Sequence, residues 1–243
     1  MRRLAAGATV AALGALLAAC AAPAPDSPGP QETPLSSTPS TPSTPSTPSG
    51  AADLHRAVAR DDADAVAAAL RAGADVDARD ADGRTPLLAA TRHGSTGLAR
   101  LLLDAGADPD TQDDLQDSAF LYAGAEGLDD ILRLTLAHGA DVTSTNRFGG
   151  TALIPASEHG HVSTVRVLLD AGVPVDHVND LSWTALHEAI VLGDGSADQV
   201  EVVRLLLDAG ADPTIPDGQG VLPRDLAAGR GYDAIVAELD RAR

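Results

Sequence analysis

Val165-Arg166-Val167-Leu168-Leu169-Asp170-Ala171-Gly172 places Val165, Leu168 and Leu169 at the spacing that gives a helix one apolar stripe, and it closes on a glycine suited to a left-handed C-terminal cap. That glycine recurs at Gly139, Gly106 and Gly73, each time after 33 residues. Asp80, Asp113, Asn146 and Asn179 keep the same interval, and so do Thr85, Ser118, Thr151 and Thr184. Each of this last group stands where it can begin a helix, its side chain accepting the free N–H groups of the first turn. Pro86 follows Thr85 at the first helical position, where its missing donor is not needed. Ala52 lies 33 residues before Thr85, which adds a unit at the start. Leu222 lies 38 after Thr184, because five extra residues, Asp194 to Asp198, enter between two helices. The units are then 51–81, 82–114, 115–147, 148–180, 181–218 and 219–243. None can bury its stripe alone, so neighbours must stack and the outer units need polar ends. Arg56, Arg60, Asp61 and Asp62 serve the first unit in this way, and Arg224, Arg230, Glu238 and Asp240 the last.

Four short motifs sit inside this periodicity: Thr85-Pro86-Leu87, Thr184-Ala185-Leu186-His187, Gly160-His161, and Leu205-Leu206-Leu207-Asp208-Ala209-Gly210-Ala211-Asp212. On these, the whole of 51–243 resembles the ankyrin-repeat family. The resemblance implies an all-α ankyrin-repeat solenoid of helix-turn-helix plus β-finger units stacked side by side. It also implies non-covalent binding of a protein partner in a groove lined by fingers and first helices. Two departures stand out. Pro155 falls inside a first helix and is expected to bend or loosen it. Gln116 and Ser182 replace the finger glycine in units three and five, so those tips are expected to differ in shape.

Side chains that vary between units are free to serve recognition. The finger tips vary: Ala81-Asp82, Asp114-Leu115, Arg147-Phe148, Asp180-Leu181 and Gly218-Gln219. In each first helix, the position two after the core leucine lies roughly 200° around the axis and faces away from the core. It holds Arg56, Ala89, Tyr122, Pro155, Glu188 and Leu226. The family's groove then puts Asp114, Tyr122, Arg147, Phe148, Asp180, Trp183 and Glu188 on one candidate partner-binding surface. Trp183 is the only tryptophan and either meets a partner or covers the neighbouring unit. Phe120 occupies the core leucine register and is expected to pack inside.

Composition narrows the function further. Aromatic residues are only 2% of the chain, which suits thin, closely packed helices of Ala, Leu and Val. All 17 basic residues are Arg and the formal charge is −18, a surface that repels nucleic acid and anionic lipid. His159 and His161, with His177, His187 and Glu188 in later units, raise a metal-dependent hydrolase as an alternative. His161 and His187 fill positions that are structural in the family, so no metal, cofactor or catalytic set is expected. Asp80-Ala81-Asp82-Gly83 lacks the ligand alternation and closing glutamate of a calcium loop.

The first fifty residues are of another kind. Arg2 and Arg3 precede an uncharged apolar run from Leu4 to Ala19, the layout of a secretory signal over 1–19. Leu17-Ala18-Ala19-Cys20 resembles the bacterial lipobox, which implies lipidation of Cys20, the only cysteine. Residues 20–50 form a Ser/Thr/Pro-rich linker whose 29 residues from Ala21 to Ser49 can extend roughly 90 Å at about 3.1 Å each. The expectation is a monomeric protein of the bacterial cell envelope, tethered to the membrane through the lipid alone, that binds a protein partner. Secretion is the alternative location, and a protective or inhibitory subunit of an envelope enzyme is a further reading.

Overall fold

The computed structural model describes residues 49–242. The expected signal segment, Cys20 and the linker before residue 49 lie outside the described residues. Twelve helices follow one another in hairpins among the described residues: α1 (Ser49–Ala59) with α2 (Ala63–Arg71), α3 (Pro86–Arg92) with α4 (Thr96–Asp104), and α5 (Ala119–Ala125) with α6 (Asp129–Ala137). The second half repeats this as α7 (Leu153–Glu158) with α8 (Val162–Asp170), α9 (Ala185–Val191) with α10 (Ala197–Asp208), and α11 (Pro223–Arg230) with α12 (Asp233–Arg241). Each first helix packs on the first helices of its neighbours, and each second helix on the second. There are no strands among the described residues, and the expected β-fingers are turns. Only single backbone bonds join adjacent tips where they touch, Asp114 N–H to the Asp82 carbonyl at 3.3 Å and Asp180 N–H to the Phe148 carbonyl at 2.9 Å.

The core follows the register read from the sequence. Leu54, Leu87, Phe120, Leu153 and Leu186 are each at most 1% exposed. Val66, Ala99, Leu132, Val165 and Val203 do the same for the second helices. Ala57, Ala90, Ala123, Ala156, Ala189 and Ala227 fill one buried register of all the first helices. A methyl there lets neighbouring backbones come close while still removing apolar surface from water. One such close approach lies between α5 and the start of α7, where a Cβ added to Gly124 would stand 2.8 Å from the Cβ of Ala152.

Helix starts also obey local rules, with one instructive failure. Thr85 Oγ1 accepts from the Leu88 N–H at 3.1 Å and Ser118 Oγ from the Leu121 N–H at 3.2 Å, while Thr184 and His187 form a reciprocal capping box. Thr151, in the same register, does not cap: α7 starts one residue late, with Ala152 at its N-cap, and Thr151 Oγ1 is buried with no partner among the described residues. The cause is Pro155. In units two, three and five the residue in its place donates to the carbonyl of the cap residue, as Tyr122 does to Ser118 at 2.9 Å. Pro155 has no N–H, so the Ile154 N–H bonds the Thr151 carbonyl instead at 3.1 Å and the first turn tightens. The five-residue insert is ordered too: Ala197 and Asp198 join α10, Ser196 caps it, and the Tyr232 hydroxyl donates to the Gly193 carbonyl at 3.0 Å.

The finger turns are built from one side chain each. Oδ1 of Asp80, Asp113, Asn146, Asn179 and Asp217 accepts from the backbone N–H two residues on and again from that four residues on, all at 2.8–3.1 Å. Gln116 (φ +60°) and Ser182 (φ +63°) adopt the left-handed conformation of Gly83 and Gly149. The expectation that these tips differ in shape is therefore corrected: the carboxylate or amide oxygen imposes the turn, and the non-glycine residue bears the strain. Replacing Gln116 and Ser182 by glycine is expected to raise stability by about 0.5–1 kcal/mol each, read as a shifted urea midpoint, because relief of the left-handed strain exceeds the added chain entropy.

Candidate functional site

A pocket of about 390 Å³ opens between the first helices and the fingers of three consecutive units. Tyr122 from α5, Pro155 from α7 and Glu188 from α9 line it. Arg147, Phe148 and Leu181 from two finger tips form its rim, with Leu192 beyond the end of α9. Of the residues expected from sequence, Tyr122, Arg147, Phe148 and Glu188 are thus brought together. Asp114, Asp180 and Trp183 do not line it. Asp114 pairs with Arg79 at 3.2 Å, and its Oδ1 would lie 2.4 Å from a Cβ at Gly83. Asp180 Oδ1 would lie 2.7 Å from a Cβ at Gly149. Both carboxylates therefore fill the space that the preceding finger's glycine leaves open. Trp183 is half-buried on the returning arm of its finger, its backbone N–H donating to Asn179 Oδ1 and its carbonyl accepting from the Asn179 N–H.

Sequence reading missed Glu126 and Glu158, which also line the pocket. The signal was available. Glu126 and Leu192 lie four residues after Tyr122 and Glu188, one turn further along the same helix face, and Glu158 lies three after Pro155.

Electrostatics are uneven across this floor. Glu188 is 6% exposed. Burial, then the charge of Glu158, pushes its carboxyl from 4.5 up to about 7, against the opposing hydrogen bond from Asn179. Asn179 Nδ2 donates to Glu188 Oε1 at 2.8 Å while its Oδ1 holds the finger, so one amide joins the turn to the pocket. Asp117 is likewise pushed up, by burial first and Asp113 second, with Arg147 and Arg92 pulling the other way. The Arg147 guanidinium stands 4.5 Å over the Phe148 ring and the Arg92 guanidinium 4.8 Å over Tyr122.

The histidines are engaged elsewhere. His159 Nδ1 lies 3.0 Å from the Ala125 carbonyl, His177 Nε2 2.6 Å from that of Gly149, and His187 Nδ1 2.9 Å from Thr184 Oγ1. The His159 and His161 rings are 5.5 Å apart, and burial followed by the charge of His159 lowers His161. Among the described residues no three His, Cys, Asp or Glu side chains group to hold a metal ion.

Glu188 makes a signed prediction. Its folded value lies above its unfolded one, so the stability it supports is complete below about 4.5 and is lost as pH rises through about 7. Across that window Glu188→Gln should remove a stability loss on the order of 3 kcal/mol, measured by urea unfolding at pH 5 and pH 8.

Comparison with known proteins agrees with this architecture. The family model for ankyrin repeats in three copies matches residues 54–146 and again 120–217. The crystal structure of an ankyrin repeat domain from Acinetobacter baumannii AYE superposes with a TM-score of 0.76 at 52% identity, covering 78% of this chain and 96% of that one. That of the ankyrin repeat protein EF0377 gives 0.76 at 38%, covering 79% and 98%. The Escherichia coli (strain K12) protein YahD, named for ankyrin repeats, is 47% identical over 51 residues, which is 21% of this chain and 25% of YahD.

Proposed function

Because the chain belongs to the ankyrin-repeat family, whose repeats generally mediate protein–protein binding, we propose that it captures a protein partner in the groove of α5, α7 and α9. In this reading the protein acts as a monomer in the bacterial cell envelope, anchored through a lipid on Cys20 and held off the membrane by its Ser/Thr/Pro-rich segment. The observation that carries the binding reading is the cluster of Phe148, Leu181 and Leu192, each about half exposed, on one pocket. A folded chain that leaves large apolar side chains together on its surface keeps them for a second molecule. Stability does not explain them. The stacking registers are filled by other residues, and the finger tips hold their shape through Asn146 and Asn179. The anchoring reading rests on the sequence alone, on the apolar run that ends at the single cysteine.

Two measurements test these parts separately. Crosslinking in envelope preparations is expected to recover a defined protein that is lost when Phe148 and Leu181 are both changed to serine; an unchanged crosslinking profile removes the groove from the account. Cys20→Ala is expected to release the chain from the membrane fraction and abolish labelling by a radioactive fatty acid, and persistence of both in the variant overturns the lipid anchor.

A further inference from the structure

We propose that this pocket receives the basic side chain, arginine or lysine, of the partner protein, its charge meeting Glu188 at the floor and its alkyl stem lying against Phe148 and Leu181. The inference rests on the protein-binding reading above and adds the partner's chemistry.

Charge is the first argument. Four carboxylates line the pocket, Asp117, Glu126, Glu158 and Glu188, against the one guanidinium of Arg147. Among the described residues only Asp117 of these four forms an ion pair, with Arg92 at 3.7 Å. Three glutamates therefore line a concave, partly apolar space without an ion pair among the described residues. The second argument is independent of their number. Glu188 is more than nine-tenths buried, yet only its Oε1 is hydrogen-bonded; Oε2 has no partner among the described residues. The second oxygen is therefore free to accept a donor that enters the cavity, and a charge-assisted hydrogen bond there would stabilise the carboxylate that the closed surroundings otherwise disfavour. Shape is the third. A long basic side chain carries an apolar stem as well as a charged head, and the rim supplies apolar surface for the first while the floor supplies carboxylates for the second. An anion or a plain hydrocarbon satisfies only part of this lining.

The groups around Glu188 set the pH behaviour. Glu158 and His159 face it from the end of α7, Asn179 from its finger, and Glu126, Asp117 and Arg147 line the same pocket from α5 and two fingers. Glu158 resists ionisation of Glu188, and His159 favours it when protonated. A bound cation favours it too, so binding releases a proton near neutral pH and tightens as pH rises from 6 to 8.

The test titrates the full chain, followed by amide shifts in heteronuclear NMR, with acetyl-Leu-Ala-Arg-Ala-Leu-amide. Parallel peptides carry lysine, citrulline or glutamate in the central place. The arginine and lysine peptides are expected to shift the amides around Tyr122, Phe148, Leu181 and Glu188, and the isosteric but neutral citrulline peptide to bind about tenfold more weakly. Glu188→Gln is expected to weaken the arginine peptide by about tenfold and to flatten its pH dependence, which a purely structural role for Glu188 leaves in place. Glu158→Gln, at a less buried position, provides the same test should the first variant fold poorly. Equal affinity for arginine and citrulline peptides overturns the proposal, and so do shifts confined to another surface. A crosslinked partner lost on the finger-tip double change but indifferent to Glu188→Gln overturns the cation and leaves the protein-binding reading intact. Basic peptides seated in the pocket of a chain whose crosslinking profile ignores the finger tips would uphold the pocket and overturn that reading instead.

Discussion

The structure depends on one packing constraint: a helical hairpin with an alanine in its inner register cannot shield its own apolar stripe. Ala57, Ala90, Ala123, Ala156, Ala189 and Ala227 are small enough for the next first helix to come close, and that neighbour completes the burial. The hairpin alone has too little core to oppose its conformational entropy. Stability therefore belongs to the interfaces between units, and the near-absence of aromatic residues follows from the same geometry. Phe120 shows the tolerance, since a larger side chain in the leucine register is accommodated in a unit whose first helix also carries Gly124 against Ala152.

From this stacking the groove arises without further design. The first helices lie side by side, and the fingers project from their ends, each folded around a single Asp or Asn oxygen. Where that residue is aspartate its side chain has no N–H of its own to donate. Asn179 has an amide nitrogen left over and spends it on Glu188, which ties the shape of one finger to the charge state of the pocket floor. The alternation of tips is explained in the same terms. Asp114 and Asp180 pack against Gly83 and Gly149 of the preceding fingers, and the fingers that supply those aspartates are the ones that carry Gln116 and Ser182 in place of glycine.

Much of this was legible in the residues. The interval of 33, the caps at Thr85, Ser118 and Thr184 and the burial of Phe120 all rest on local chemistry that a sequence displays. Pro155 was legible as a disturbance, but its consequence, an unused Thr151 hydroxyl, depends on which carbonyl the neighbouring N–H finds. The shape of the Gln116 and Ser182 tips was misjudged because side-chain-to-backbone bonds outweigh the preference for glycine. At the site, Tyr122, Arg147, Phe148 and Glu188 followed from helical phase and finger position. Asp114 and Asp180 were taken up by contacts between successive fingers, which no reading of one finger reveals. Trp183, half-buried on the returning arm of its finger, does not line the pocket.

The interdependence of the units is what the account stands on, and native-state hydrogen exchange of an Ala156→Leu variant probes it most directly. Overpacking that inner register should lower amide protection in α5 and α9 together with α7, by a similar free energy in all three. Protection lost in α7 alone, with its neighbours unchanged, would contradict a fold whose stability resides between its units.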